Sequence, residues 1–394
     1  LSLMRVVVNK AERLWKIPQS VLGSMRFSHK RLAARHVDLI DLHSFVPEIP
    51  GNLLEFMNRY HPAGTTPDPQ LAARLAEKIA LKHLSFRSVA LDPEKEIAIT
   101  PGVTATAMLL CLGLLNSGDP AAYPDPGAQY FRTAICLADG SPRKYSLLES
   151  NDYIINISAL SSSAYKKTKM LFVNYPHDPT GATADYYFYR ELFRSLRSTN
   201  VLLVADCAHV HPGNPDPAGP LQIKNAVGKA VELHSFSATF GLSGLGFAVG
   251  HKDAIAIIKS LLSMQGFTPS SYALGWAIAA FDRQDESFQC RMETLKNRRE
   301  LLSDGLKKLD WRIRSGRLTP FIWARPPYRY TSAAFARRLF IKAGVKVDPG
   351  SDFGEGGEGW LRFSLSPDET VLTEALRRLR EHSKLWQRKY RPED

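Results

Sequence analysis

Two short apolar runs end near residues able to move protons. Met170 to Asn174 (MLFVN) leads to Asp178, and Val201 to Asp206 (VLLVAD) leads to His209. A carboxylate and an imidazole sharing one pocket can act as general base and acid near neutral pH. His177, Cys207 and His211 stand beside them in sequence. A third candidate turn holds Gly102, Val103 and Thr104, between Glu96 to Thr100 and the apolar stretch that runs on to Leu115. A fourth is flanked by Ser235 and Ser237, and Arg362 lies far along the chain.

The elements that must position these residues read as alternating strands and helices, which argues for an α/β fold with a mostly parallel sheet. Met170 to Asn174 and Val201 to Asp206 have the unbroken apolar character of buried parallel strands. Tyr186 to Ser198 reads as the crossover helix between them, and Val231 to Ser237 and Gly246 to Gly250 as further strands. Pro67 to Leu84 opens with Pro-Asp-Pro and carries apolar residues at helical spacing. The amphipathic Ser287 to Leu309 leads into a second region with strands at Phe321 to Ala324 and Trp360 to Ser364 and a terminal helix from Glu369. Ligands bind where the polar ends of parallel strands gather, so the turns after residues 100, 174 and 206 and those around 237 are the candidate site.

Bulk composition fits this picture. The 394 residues suit one large and one small domain, and 44% hydrophobic with 23% charged residues is ordinary for a globular chain. The net charge of +12 is spread along the chain, which argues against a nucleic-acid partner and is compatible with an acidic small molecule. The C-terminal basic group from Arg377 to Arg391 reads as the wet face of a helix. Cys111, Cys136, Cys207 and Cys290 show no C-x-x-C spacing, so a reducing, cytoplasmic setting without a structural metal is expected. No apolar run approaches the ~18 residues of a membrane span. Gly354 to Gly359 fits G-x-G-x-x-G, but a strand follows it instead of a helix, so it is set aside as a dinucleotide site.

Six segments in order resemble the class I/II, fold-type I pyridoxal-phosphate aminotransferases. They are Thr100-Pro-Gly-Val-Thr104, Pro124-Asp-Pro-Gly127, Asn174-Tyr-Pro-His-Asp-Pro-Thr-Gly-Ala182, Asp206-Cys-Ala-His209, Ser235-Phe-Ser-Ala-Thr-Phe-Gly-Leu-Ser-Gly244 and Gly359-Trp-Leu-Arg-Phe-Ser364. The resemblance spans roughly residues 35 to 382. It implies a large domain with a central, mostly parallel sheet over 46–290. A small α/β domain from both chain ends, 1–45 and 291–394, would complete a subunit that is usually paired in a homodimer. It also implies that Asp206 pairs with the pyridine nitrogen of the coenzyme and that Gly102, Val103, Thr104, Ser235 and Ser237 hold its phosphate. Arg362 would fork onto a substrate carboxylate.

Against that pattern, Ala238 stands where the Schiff-base lysine belongs, and the segment Gly244 to Gly250 lacks the phosphate-binding arginine. Asp178 replaces an asparagine, His209 a tyrosine and Ala128 the stacking aromatic, while His43-Ser-Phe-Val-Pro47 replaces a glycine-rich turn. These changes set up three expectations. The first is a remodelled biosynthetic enzyme in which His209 and Asp178 drive proton-transfer, cyclisation or elimination chemistry on an amino-acid- or keto-acid-derived carboxylate. The second is an inactive, ligand-binding relative, and the third an engineered lysine-to-alanine form of an ordinary aminotransferase. Pyridoxal or pyridoxamine phosphate would bind a weakened site, and independence from any cofactor is the leading expectation.

Overall fold

The computed structural model describes residues 10–17, 38–43, 55, 68–160, 165, 167–211, 217–282, 284–327 and 331–384. A short 3-10 turn (Glu12–Lys16) comes first, followed by β1 (Ile40–Asp41) and α1 (Pro69–Arg87). Asp68 caps α1 by accepting from the Gln70 N–H, Pro69 fills its first position, and Ser88 ends it in a left-handed conformation at φ 55°. One face of α1, with Leu75, Ile79 and His83, is buried.

A seven-stranded sheet forms the centre. Its strands are β2 (Ile97–Thr100), β3 (Pro120–Asp125), β4 (Ser141–Ser146), β5 (Met170–Asn174), β6 (Leu202–Asp206), β7 (Ala230–Ser235) and β8 (Gly246–Gly250), in the order β2-β8-β7-β6-β5-β3-β4. All pairings from β7 to β4 are parallel, and only β8 runs antiparallel to its neighbours. Parallel strands need crossovers that cover both faces. Here they are supplied by α2 (Val103–Leu114), α3 (Tyr130–Leu137) and α4 (Tyr186–Ser195), so the central strands β5 to β8 are buried on nearly their whole length. The mostly parallel α/β sheet expected from the sequence is therefore present.

One strand ends earlier than its apolar pattern suggests. The run expected to continue to Ser237 stops at Ser235, whose hydroxyl accepts from the Ala238 N–H and starts the short helix α5 (Phe236–Phe240). Beyond it, α6 (Lys252–Met264), α7 (Ser271–Asp282) and α8 (Gln284–Lys307) lead to an antiparallel sheet. That sheet holds β9 (Arg312–Arg314), β10 (Phe321–Arg325), β12 (Asp348–Pro349) and β13 (Leu361–Ser364), in the order β12-β13-β10-β9. β11 (Val345–Lys346) pairs in parallel with β1, so a segment from near the chain start joins the C-terminal region. α9 (Glu369–Glu381) closes the second core through Leu372, Ala375, Leu376 and Leu379. Arg377 and Arg378 pair with Glu374 on its outer face, as a solvated helix surface does. No described helix is long and apolar enough to cross a membrane.

Candidate active site

β5 and β6 run side by side with Asn174 opposite Asp206, which brings the two candidate turns together. The Asn174 side chain locks the junction: its amide nitrogen donates to the Asp206 carbonyl at 3.1 Å, and its oxygen accepts from the Asp178 N–H at 2.8 Å. Asp206 is 5% exposed. One of its oxygens accepts from the Ala208 N–H at 2.8 Å and the other from the Tyr130 hydroxyl at 2.5 Å. Burial lifts its pKa to about 6, and the nearby Asp178 charge adds to the rise against the two hydrogen bonds. Burial also pushes the Tyr130 phenol well above its ordinary range, reinforced by the Asp206 carboxylate, so it stays a neutral donor.

Tyr130 escaped the sequence reading, which sought an aromatic ring at Ala128, two residues earlier. Ala128 is only a partly buried methyl packed on the neighbouring core. The available signal was the tyrosine at the start of α3, in a helix whose cap residue Gln129 lies two positions after Gly127.

The glycine turn lies across the sheet edge. Gly102 caps α2 at φ 118°, and an added Cβ there would meet no atom within 4 Å. Val103 is buried and Thr104 exposed. Strand pairing places Gly246 opposite both Thr100 and Ser235, so this turn and the start of α5 adjoin. Gly246 is required by that approach: a Cβ would sit 2.5 Å from the His234 carbonyl oxygen and 2.9 Å from Gly102 Cα. Backbone cannot yield as a side-chain tip can. Gly246→Val is expected to lower the melting temperature by several degrees and to open the Gly102 turn, read as lost amide protection at residues 102–106 in hydrogen exchange.

Ser237 donates to the Leu242 carbonyl at 3.0 Å, so its hydroxyl ties down the end of α5. Ala238 is buried at 9% exposure in the same helix. Arg291 reaches this segment from α8, its guanidinium donating to the Thr239 carbonyl at 2.7 Å, with its pKa lowered to about 10 by burial.

The structure puts Asp178 and Arg362 in direct contact, with His209 close enough to feel both charges. Both Asp178 oxygens accept from Nη1 of Arg362 at 2.7 Å. Asp348 accepts from Nε and Nη2 of the same guanidinium at 2.9 and 2.7 Å. The two carboxylates drive the Arg362 pKa upward against the cost of burial. Arg362 is thus paired within the chain with both Asp178 and Asp348. His209 is half-buried, edge-on against Phe321, and desolvation drops its pKa to about 4 despite the Asp178 charge. It is neutral at pH 7 and cannot store a proton for acid catalysis there. His43 bonds Asp348 from the other side; residues 44–47 lie outside the described set. His177 is a structural residue, between Thr180 Oγ1 at 2.7 Å and the Pro126 carbonyl at 3.1 Å. The rejected glycine motif packs on β3, with the Gly356 N–H donating to Asp125 at 2.8 Å.

Residues 48–379 match the family model for aminotransferases of class I and II. The chain belongs to this family. An LL-diaminopimelate aminotransferase of Halothermothrix orenii is 33% identical over 297 residues, covering 74% of this chain and 76% of that protein. LL-diaminopimelate aminotransferase 2 of Trichormus variabilis is 31% identical over 385 residues, 94% and 98% of the two chains. Substrate-bound BacF of Bacillus subtilis superposes with a TM-score of 0.85 at 25% identity, over 96% of this chain and 98% of that one. These aminotransferase relatives overturn the expectation of non-transaminase chemistry on His209 and Asp178. Class I and II aminotransferases depend on pyridoxal phosphate, so the expectation of a cofactor-independent site is overturned as well. Members of the family act on small molecules and are typically homodimers.

Proposed function

We propose that this aminotransferase-family chain transfers an amino group with a pyridoxal-phosphate coenzyme held without a covalent bond. The observation that carries the reading is Asp206: a carboxylate buried at the end of β6, kept there although desolvation lifts its pKa to about 6. A buried acid so costly to ionise suits a cationic partner, which the coenzyme's pyridinium N–H provides. The open Gly102 cradle at the start of α2 suits a phosphate, since unpaired N–H groups and the helix dipole both favour an anion there. Ser235 adds a hydroxyl at the adjoining start of α5.

When bound, the coenzyme supplies an electron sink for the carbon that loses or gains a proton. The chain's part is to orient and shield. Asp206 would hold the ring N–H, Tyr130 and Ala208 fix that carboxylate, and the Gly102 turn would take the phosphate. Ala238 stands at the position of the family's lysine and offers a methyl group, so no amine from this residue tethers the coenzyme or carries the proton. Slow turnover follows.

The two-domain division at 1–45, 46–290 and 291–394, a homodimer and a cytoplasmic setting belong to the same proposal. The parallel pair β1 and β11 supports the first of these. Calorimetric titration with pyridoxamine 5′-phosphate, followed by a single-turnover assay for amino transfer to an oxo compound, tests the reading. Saturable one-to-one binding with a slow transfer is expected; absence of either overturns it.

A further inference from the structure

Away from the candidate site, α1 and β7 bury three metal-ligating side chains against each other. Glu232 and His234 are two positions apart on β7, so they point to one face of the sheet. His83 comes from the buried face of α1. His83, Glu232 and His234 are 1%, 0% and 2% exposed. One donor atom from each lies within 4.8 Å of the other two. The sequence reading looked for cysteine pairs and did not anticipate ligands from distant parts of the chain.

The hydrogen bonds around His83 decide which of its atoms faces the cluster. Its Nδ1 lies 3.0 Å from the Ile79 carbonyl, which only accepts, so Nδ1 carries the proton. Nε2 is then a bare lone pair, buried and without a hydrogen-bond partner, 3.8 Å from Oε2 of Glu232. Two acceptors facing each other in a dry interior repel unless a cation stands between them. An imidazole that donates one nitrogen to a backbone carbonyl and offers the other is arranged as metal-ligating histidines are.

Glu232 is turned to match. Its Oε1 accepts from the Leu221 N–H at 3.0 Å, and an added Cβ on Gly219 would sit 2.5 Å from that oxygen and 2.4 Å from Arg87 Nη1. The Arg87 charge therefore acts on Glu232 from the Oε1 side, while its donors go to Gln222 Oε1 and the Pro217 carbonyl. Oε2 faces the two imidazoles, with His234 Nε2 at 3.0 Å. The His234 ring lies flat on Phe247, 4.5 Å between centroids and 7° between planes, which fixes its direction. The separations of 3.0 and 3.8 Å bracket the ~3.3–3.4 Å between ligands that ~2.0–2.1 Å bonds impose on a tetrahedral shell.

We infer that His83, Glu232 and His234 form a structural site for one divalent transition-metal ion of the zinc type, tying α1 to β7. Two imidazole nitrogens with one carboxylate oxygen suit such an ion, whereas calcium and magnesium take oxygen ligands. Coordination through Nε2 of His234 moves that proton to Nδ1, which has no hydrogen-bond partner to lose. The next residue is Ser235, whose hydroxyl starts α5, so the ion steadies the strand end that positions this helix. The site stands independently of the coenzyme reading.

Donors this deeply buried take up an ion as the chain folds. The test therefore uses protein expressed with zinc sulfate in the medium and then desalted. Elemental mass spectrometry counts the zinc, and zinc-edge X-ray absorption reports its ligands. About one zinc per chain is expected, held by two imidazoles and oxygen at ~2.0–2.1 Å. His83→Phe keeps a buried ring, removes Nε2, and should retain roughly a tenth of that zinc or less. Stripping the zinc with a chelator should lower the melting temperature of the unaltered protein by several degrees and leave that of the variant unchanged. Cys290→Ser, which lacks the exposed thiol, should keep its zinc. Zinc-free unaltered protein, a shell without imidazole, equal zinc in His83→Phe, or loss of the zinc in Cys290→Ser overturns the inference. Should His83→Phe fail to fold, the ligand shell of the unaltered protein decides alone.

Discussion

Ala238→Lys is expected to turn a protein that holds its coenzyme reversibly into one that keeps it through gel filtration, with the absorbance of a protonated imine. Position 238 is the third residue of α5, whose start is fixed by the Ser235 cap and whose end is fixed by the Ser237 bond to Leu242. A lysine there would rise from a rigid turn adjoining the Gly102 cradle and facing the strand ends that carry Asp206. Linking the coenzyme to that turn makes its attachment intramolecular, an effect that reaches many powers of ten in well-oriented systems. The same amine would supply an acid–base group at the reacting carbon, worth about 10²–10⁴ in rate. The cost is packing: alanine is 9% exposed, and extra methylenes in a filled site destabilise by about 1–3 kcal/mol. The variant should therefore melt earlier without coenzyme and later with it. Unchanged coenzyme retention would show that residue 238 does not face the pyridoxal site.

The second large effect concerns Asp206 and pH. Its folded pKa of about 6 lies above the ordinary 3.8, so the folded protein binds this proton more tightly than the unfolded chain. Ionised Asp206 then costs stability at all pH above about 6, and the cost fades as pH falls from about 6 to 4. A rise of about two pKa units corresponds to a few kcal/mol. Asp206→Asn keeps an oxygen for Ala208 or Tyr130 and removes the charge. It should raise the melting temperature by several degrees at pH 8 and by little at pH 4. The same change should weaken pyridoxamine phosphate binding by roughly tenfold to a hundredfold, the range for losing one charge-assisted hydrogen bond. A variant that is less stable at pH 8 would show that Asp206 serves packing instead of ligand binding.

Stability sacrificed for a binding group also marks what could be read from the sequence. Apolar runs with polar ends gave β5, β6 and β8 with little error, because a strand buried on both faces needs unbroken hydrophobic character. β3 and β4 carry no such mark: PAAYPD is small and proline-rich, and SPRKYS is an exposed edge strand with a polar sequence. Spacing placed Asp206, Gly102 and Ser235 at converging turns, since a parallel sheet gathers its strand ends. It could not reveal Tyr130 on Asp206, where the bond spans 76 positions, or Asp178 on Arg362 across 184. A residue's type announces its charge but not which opposite charge the fold will set against it. For that reason the Asp178 and Asp348 partners of Arg362 were not legible from its residue type.

A second polar cluster was equally illegible. His83, Glu232 and His234 are buried together, with Glu232 bonded by His234 at 3.0 Å and by the Leu221 N–H at 3.0 Å. Burial opposes the Glu232 charge, yet these groups and Arg87 hold its pKa well below the usual value. The cluster is a buried polar core between α1 and β7, where the helix contributes His83 and the strand two residues on one face.

Borohydride reduction of the unaltered protein saturated with pyridoxal phosphate, followed by peptide mass spectrometry, addresses the central claim most directly. Reversible coenzyme binding with no pyridoxyl group fixed on any lysine is the result expected from alanine at position 238. A lysine peptide carrying the reduced coenzyme in stoichiometric yield would contradict the account, as would saturated reagent with no bound coenzyme at all.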